Sequence, residues 1–346
     1  EMALLLARPE GNPDGTEGLA LFYCELRDRG GRLQNIVIDR LKDKLGSRKL
    51  PTAELRLHGA PIELVGEERR GVRMIAPVLN QTRLWNSFAA LSFLRRGLQL
   101  WRDYAGRRKV FGKLLREQAL HQHTFAGVQA EFEAGLNLAL HVAELLGKSE
   151  HGLLDDRHRL LLRLLIPITK LMTAKQAVAG ISEIVEGFGG AGYIEDTGLP
   201  TLLRDAQVFS IWEGTTDVLA LDAYKILSSE STWNTLHAGL VALIGQTDQD
   251  CDALSALIRD AYERAHTNYQ QSGDPRANEA QARGIALTLG RCFALAVLLR
   301  HAAWAKRAEN DHRPMAAARR FAAHGLDRMS TSEILDSRLL ATDELE

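Results

Sequence analysis

From residue 74 onward apolar side chains recur at helical spacing. Met74, Val78, Leu79, Leu84, Phe88, Leu91, Leu94, Leu98 and Trp101 fall near one stripe of a 3.6-residue repeat. A stripe of that length must be buried against surfaces of similar length, because an amphipathic helix cannot cover its own apolar face. Two more stretches of this kind run from about Glu117 to Leu146 and from about Asp155 to Gly187, with Pro167 placed to kink the third. Long antiparallel helices of this sort form an up-and-down bundle, so the chain is read as mainly α.

What precedes the stripe has a different period. Leu4–Ala7 and Gly18–Cys24 are short apolar runs separated by the turn residues Asn12-Pro13-Asp14-Gly15. Leu33–Ile38 and Ala53–Leu57 alternate in the manner of half-buried strands, the second with Leu55 and Leu57 set between Glu54, Arg56 and His58. Lys42–Arg48 reads equally as a solvated charged turn and as a loop between strands. After the third long helix, glycines between 187 and 198 and Pro200 mark a loop region. A polar stretch, Ser228–Thr232, then marks a hinge or cap. Apolar-periodic stretches follow near 233–245, 251–269, 277–305 and 314–325, with a break at Gly273-Asp274-Pro275. The expected organisation is a β part over 1–68, a helical bundle over 69–228 and a helical extension over 229–346.

Composition narrows the function classes. The formal net charge is −1, which gives no electrostatic case for a nucleic-acid partner. Residues 229–346 hold 13 Lys+Arg against 16 Asp+Glu, and only 291–328 is locally basic, with 8 against 3. Cys24, Cys251 and Cys292 are odd in number and far apart, which fits a reducing compartment rather than a disulfide framework. His121-Gln122-His123 looks like a ligand pair, but residues i and i+2 of a helix face different ways, so no metal centre is expected. His151 and His158 flank a charged turn and are expected to be solvated. No run of about 18 apolar residues stands out, so no transmembrane segment is expected.

One carboxylate stands in an unusual setting. Glu213 lies between Trp212 and Gly214, within Arg204-Asp205-Ala206-Gln207-Val208-Phe209-Ser210-Ile211-Trp212-Glu213-Gly214-Thr215-Thr216, just before a helix marked by Val218, Leu219, Leu221 and Ile226. The ring would exclude water, the glycine would let a ligand approach the backbone, and Thr215 or Thr216 would cap the helix. On spacing alone, Glu213 reads first as an ordinary first-turn acid favoured by the helix dipole.

Three segments in order bear on that alternative: Arg108-Lys109-Val110-Phe111-Gly112-Lys113, Gly187-Phe188-Gly189-Gly190-Ala191-Gly192-Tyr193, and the segment around Glu213. Together they resemble the flavin-dependent acyl-CoA dehydrogenase family over roughly residues 4 to 228, and the Ile211-Trp212-Glu213-Gly214 wording is nearest the branch holding the bacterial alkylation-response dehydrogenase homologue. The resemblance implies an acyl-CoA dehydrogenase-like C-terminal helical bundle, preceded by part of a β domain and followed by a helical C-terminal extension. The family's first helical domain and the start of its β domain have no counterpart here, which the resemblance reads as a fragment, a cleaved product or a degenerate paralogue.

It also implies a chemistry. Glu213 is the base that takes the α-proton of an acyl-CoA thioester, with the β-hydrogen leaving as hydride to FAD and its own amide holding the thioester oxygen. The family's second base position falls on Thr82, which cannot act as one. Arg83 and Gly214 fall at the substrate, Arg83 being read equally as a surface or ion-paired arginine. Arg108 falls on the FAD diphosphate, Phe111 near the adenine of a neighbouring subunit's cofactor, Gln118 on the adenosine with its spacing one residue short, and Gly189, Gly190 and Gly192 on the diphosphate. Thr215 and Asp217 also fall at FAD, Asp217 being read equally as a first-turn dipole residue, and Glu186 replaces the family's usual Gln. The implied partners are a homodimer or homotetramer and an electron-transfer flavoprotein, in the cytoplasm or a mitochondrial matrix. The competing readings are a non-catalytic homologue that binds DNA or a protein partner, and an inactive fragment.

Overall fold

The computed structural model describes residues 1–271, 275–329 and 334–342. Gly273 and Asp274 of the expected break lie outside the described residues, and Pro275 opens a helix. The chain divides into two compact units, Glu1–Thr82 and Arg83–Glu346.

The first unit holds β1 (Met2–Ala7), β2 (Ala20–Glu25), β3 (Ile36–Leu41), β4 (Ala53–Leu57) and β5 (Glu63–Leu64). β2 pairs antiparallel with β1 on one side and β5 on the other, while β3 and β4 form a separate hairpin with an irregularity between Ile38 and Arg40. The strand expected from Leu33 begins three residues late. Leu33 makes only an isolated bridge to Arg27, and Asn35 sits at φ 54, a left-handed turn that no strand accommodates. The 42–48 segment lies in the connection between β3 and β4, gathered around the Lys44 ammonium, which donates to the Ser47 and Leu50 carbonyls. Ala20, Leu21 and Cys24 are buried on β2, whereas Leu55 and Leu57 of β4 are 44% and 42% exposed, so the alternation there does not mark a covered face.

The helices begin with α1 (Gly71–Arg107), which starts in the first unit and continues into the second. Of its stripe, Leu84, Leu91, Leu94, Leu98 and Trp101 are buried and Val78 is exposed. A two-strand hairpin, β6 (Lys109–Val110) and β7 (Lys113–Leu114), leads into α2 (Ala119–Glu150) and α3 (Asp156–Gly187). Asp155 caps α3, its carboxylate accepting from the His158 amide at 2.8 Å. His151 and His158 are exposed. Then follow α4 (Leu199–Ala206), α5 (Thr216–Ile226), α6 (Glu230–Ile244), α7 (Asp252–Gln271), α8 (Pro275–Glu309), α9 (Arg313–Ala323) and α10 (Ile334–Thr342). The expected hinge is shorter than its polar composition suggests, because Glu230, Ser231 and Thr232 already form the first turn of α6. The Thr232 hydroxyl and the Trp233 indole bond back to the Ile226 and Leu227 carbonyls, closing the end of α5.

One core cluster runs through α2, α3 and α5–α9, and a second joins α1, α2, α3 and the end of α4. Cys292–Leu299 of α8 are buried without a break, so that stretch of the helix is apolar all round. Asp156–Gly187 and Arg276–Glu309 each contain a window long and apolar enough to cross a membrane, but 83% of each window is buried within the fold, as in core helices. Cys24, Cys251 and Cys292 are buried free thiols.

Candidate active site

Residues 207–210 form a 3-10 turn after α4, and the chain then reverses into α5. The reversal is made by two consecutive left-handed residues, Glu213 at φ 61 and Gly214 at φ 105. Glycine adopts such a conformation freely, but for glutamate it costs on the order of 1–2 kcal/mol. Two cations secure the turn. Arg83 on α1 donates through Nε to the Glu213 carbonyl at 3.2 Å, and Lys170 on α3 donates through Nζ to the Gly214 carbonyl at 2.5 Å. Arg83 is held in turn by Asp222 on α5 at 2.9 Å, and Asp222 also receives Arg163 at 2.8 Å.

The electrostatics follow from burial. Lys170 is fully buried, and burial pushes its ammonium down to about 8, with the charge of Arg83 adding to the shift and that of Glu213 opposing it. Burial works to raise the Asp222 carboxyl, but Arg163 and Arg83 together hold it below the ordinary value. The Glu213 side chain is half-buried, and the Glu213 amide has no acceptor among the described residues. Trp212 is 42% exposed, so the ring does not seal the carboxylate from water within this chain. The turn thus leaves one carboxylate and one free N–H side by side, while both of its carbonyls are tied back into the bundle. Among the described residues no cluster suits a metal ion.

Arg83, Glu213 and Gly214 are therefore brought together, with Arg83 bonded to the loop and to Asp222. Thr215 occupies the N-cap position of α5 without a side-chain capping bond, and Thr216 is buried in the first turn. The capping expected of them is absent because α5 starts directly from the carbonyl-anchored turn. Asp217 is exposed and pairs at 3.5 Å with Arg283 of α8. Lys170, Asp222 and Arg163 were missed in the sequence. A usable signal existed for Lys170, the lone charge in the run from Leu164 to Met172, where Thr169 is the other polar residue.

The other expected residues form a second group. Arg108 follows α1 directly, and its side chain is exposed with no carboxylate partner among the described residues. Phe111 and Gly112 form the turn of the β6–β7 hairpin, both at positive φ (49 and 80), and the Phe111 ring is 98% exposed. Gln118 closes the hairpin base, its amide donating to the Val110 carbonyl at 3.0 Å. Phe111, Gln118 and Glu186 border one depression of about 400 Å³. Gly189 and Gly190 are exposed with open space above their Cα atoms, whereas a side chain on Gly192 would strike the Val185 carbonyl, so that glycine is required by packing. His121 packs edge-on against Trp101 and His123 contacts Arg320, on different faces as their spacing requires. In the basic segment 291–328, Arg291, Lys306, Arg307 and Arg313 are paired with Glu131, Asp250, Asp248 and Asp311.

Comparison with known proteins bears on this arrangement. Residues 69–227 match the family described as acyl-CoA dehydrogenase, C-terminal domain, and residues 240–342 match the acyl-CoA dehydrogenase 11 C-terminal domain-like family. Acyl-CoA dehydrogenase family member 11 of Caenorhabditis elegans is 42% identical over 87% of this chain and 51% of its own length. The putative acyl-CoA dehydrogenase AidB of Escherichia coli is 30% identical over 70% of this chain and 43% of its own. The chain thus spans about half the length of these curated relatives. A crystal structure of Caenorhabditis elegans ACDH-11 in complex with C11-CoA superposes with a TM-score of 0.92 at 37% identity, covering 99% of this chain and 61% of that one.

Proposed function

Because the chain belongs to the acyl-CoA dehydrogenase family, we propose that it carries the base and part of the cofactor site for α,β-dehydrogenation of an acyl-CoA thioester to a trans-2-enoyl-CoA. The observation that carries the reading is the Glu213–Gly214 turn. A left-handed glutamate is held there at an energetic cost, with the two carbonyls of the turn bonded by the half-buried Arg83 and the buried Lys170. Such a turn fixes a carboxylate and an unbonded amide with respect to each other, which is what proton removal next to a thioester carbonyl requires. The Glu213 carboxylate takes the α-proton. The electron pair left on that carbon is drawn toward the thioester oxygen, which accepts a hydrogen bond from the Glu213 N–H. Arg83 acts on this step through the loop that it holds. The C11-CoA bound to the nematode relative supports an acyl-CoA as the substrate class.

The family's cofactor is FAD, and the residues present suit it. Arg108 offers an uncommitted guanidinium to a diphosphate, and Gly189 and Gly190 leave open the space that a Cβ would enter. Thr215 and Asp217 at the start of α5 would complete the holding set, while Glu186 is exposed, where water screens its charge. When bound, FAD supplies the acceptor for the β-hydrogen. Phe111, almost wholly exposed on its hairpin, is placed to meet a second copy of the chain, which supports a homo-oligomer. An electron-transfer flavoprotein is the proposed electron acceptor.

The test is Glu213→Gln in the FAD-loaded protein, with anaerobic titration of acyl-CoAs followed by the visible spectrum. We expect the flavin spectrum to be retained and its bleaching by substrate to disappear. Bleaching at the unsubstituted rate would reject Glu213 as the base.

A further inference from the structure

A groove of about 600 Å³ lies between α2 and α3 of the bundle and α8 and α9 of the extension. It shares no lining residue with the Glu213 turn. Its floor is apolar, with Val128, Met172 and Leu287, and Ala179 stands exposed at its mouth. Its volume is that of small-molecule pockets, which span roughly 300–1,000 Å³. Among its polar lining, cations outnumber carboxylates: Lys175, Arg283, Arg291, Arg320 and Arg328 against Glu131 and Glu183.

The carboxylates do not balance these charges. Glu131 is already engaged by Arg291 through two bonds of 3.0 Å and by His324 at 2.8 Å, and Arg283 is paired with Asp217. Arg320 bonds to His123, a group that must be neutral at that nitrogen to accept, and its Nε is buried without a partner. Among the described residues the Arg328 guanidinium donates only to the His324 carbonyl, at 3.0 Å. Burial lowers the proton affinity of Arg328, and the like charge of Arg291 adds to the effect. Two guanidiniums, Arg320 half-buried and Arg328 exposed, thus border an apolar groove without a carboxylate of their own among the described residues. Gly127 lines the groove beside Arg320, where a Cβ would stand 3.5 Å from Arg320 Nη2 and His324 Nε2. The unpartnered Arg320 Nε and the carboxylate-free Arg328 beside an apolar floor suit an anionic head.

We infer that this groove binds an amphipathic anion, a carboxylate or phosphate head on an aliphatic body, with Arg320 and Arg328 receiving the head and Val128, Met172 and Leu287 the body. The ligand bridges the bundle and the extension, and its site is independent of the dehydrogenase reading. Decanoate, decyl phosphate and decanol, each titrated calorimetrically into the full chain, test it. Decanoate and decyl phosphate should bind, and decanol at least about tenfold more weakly, since a charge-assisted bond is worth roughly a factor of ten or more. Tighter decyl phosphate would point to a phosphorylated lipid as the source, and tighter decanoate to a fatty acid. Arg320→Gln with Arg328→Gln should weaken the anions at least about tenfold, toward the decanol level. Ala179→Trp, at an exposed position, should block all three, with unchanged circular dichroism showing that the fold is kept. Equal binding of decanol and decanoate would overturn the inference. So would anion binding that survives either the double arginine substitution or Ala179→Trp.

Discussion

Replacing Lys170 by methionine separates the turn's geometry from the stability of the bundle. Methionine keeps an unbranched stem of similar length, so the buried volume is nearly preserved. What is lost is the ammonium and its 2.5 Å bond to the Gly214 carbonyl. A bond from a charged donor contributes about 1.5–3 kcal/mol, comparable with the 1–2 kcal/mol needed to hold glutamate in the left-handed region. Without it the turn can relax, and kcat/KM for an acyl-CoA should fall about 10- to 100-fold, at roughly 1.36 kcal/mol per decade. Global stability should move little, or rise, because a buried charge has also been removed. A pH series adds a signature that a purely structural role would not produce. The folded-state value of about 8 lies below the ordinary lysine value of 10.5, so between those values the unfolded chain binds more protons and stability rises with pH. That rise should be absent in Lys170→Met. Stopped-flow turnover and urea unfolding from pH 7 to 10.5 measure both effects. Full kcat/KM in Lys170→Met would refute the claim that a buried cation sets the reactive turn.

Three further outcomes are expected. Glu131→Gln leaves Arg291 buried without its carboxylate and should cost about 3–5 kcal/mol in denaturant unfolding; because Arg291 and His324 hold that carboxyl at about 2 against burial, the contribution is complete above pH 4.5 and is lost as pH falls toward 2. Gly192→Ala should lower the melting point markedly, since the new methyl meets backbone rather than a movable side chain, whereas Gly190→Ala should melt normally and weaken FAD binding in a fluorescence titration. Phe111→Ala should leave the melting curve unchanged and shift sedimentation toward smaller species, and unaltered sedimentation would remove Phe111 from the oligomer contact.

The helices were legible because their apolar residues repeat with the period of the structure that they form; α6 through α9 all fall where the periodic stretches place them. Short β segments were less so. Leu33 carries the right composition for a strand, but the left-handed Asn35 decides where β3 begins. The Glu213 turn could be singled out by its neighbours, yet its geometry depends on Arg83 and Lys170, which lie 130 and 44 residues away in sequence in the bonds that they make. Lys170 could have been noticed as a charge in an apolar run. Asp222 and Arg163 could not, since ordinary helix-surface charges look the same until the helices are packed.

The unbroken burial of Cys292–Leu299 in α8 has a consequence for how the molecule comes apart. Phe293 and Leu295–Leu299 belong to the same cluster as Leu164–Ile168 of α3 and Leu219 of α5, so the extension supplies part of the bundle's interior. Melting should then be a single cooperative transition over residues 83 onward, with amide exchange in α3 and α8 equally slow. A chain cut after residue 228 would expose the inner faces of α3 and α5 and behave as a sticky intermediate instead of a smaller native protein.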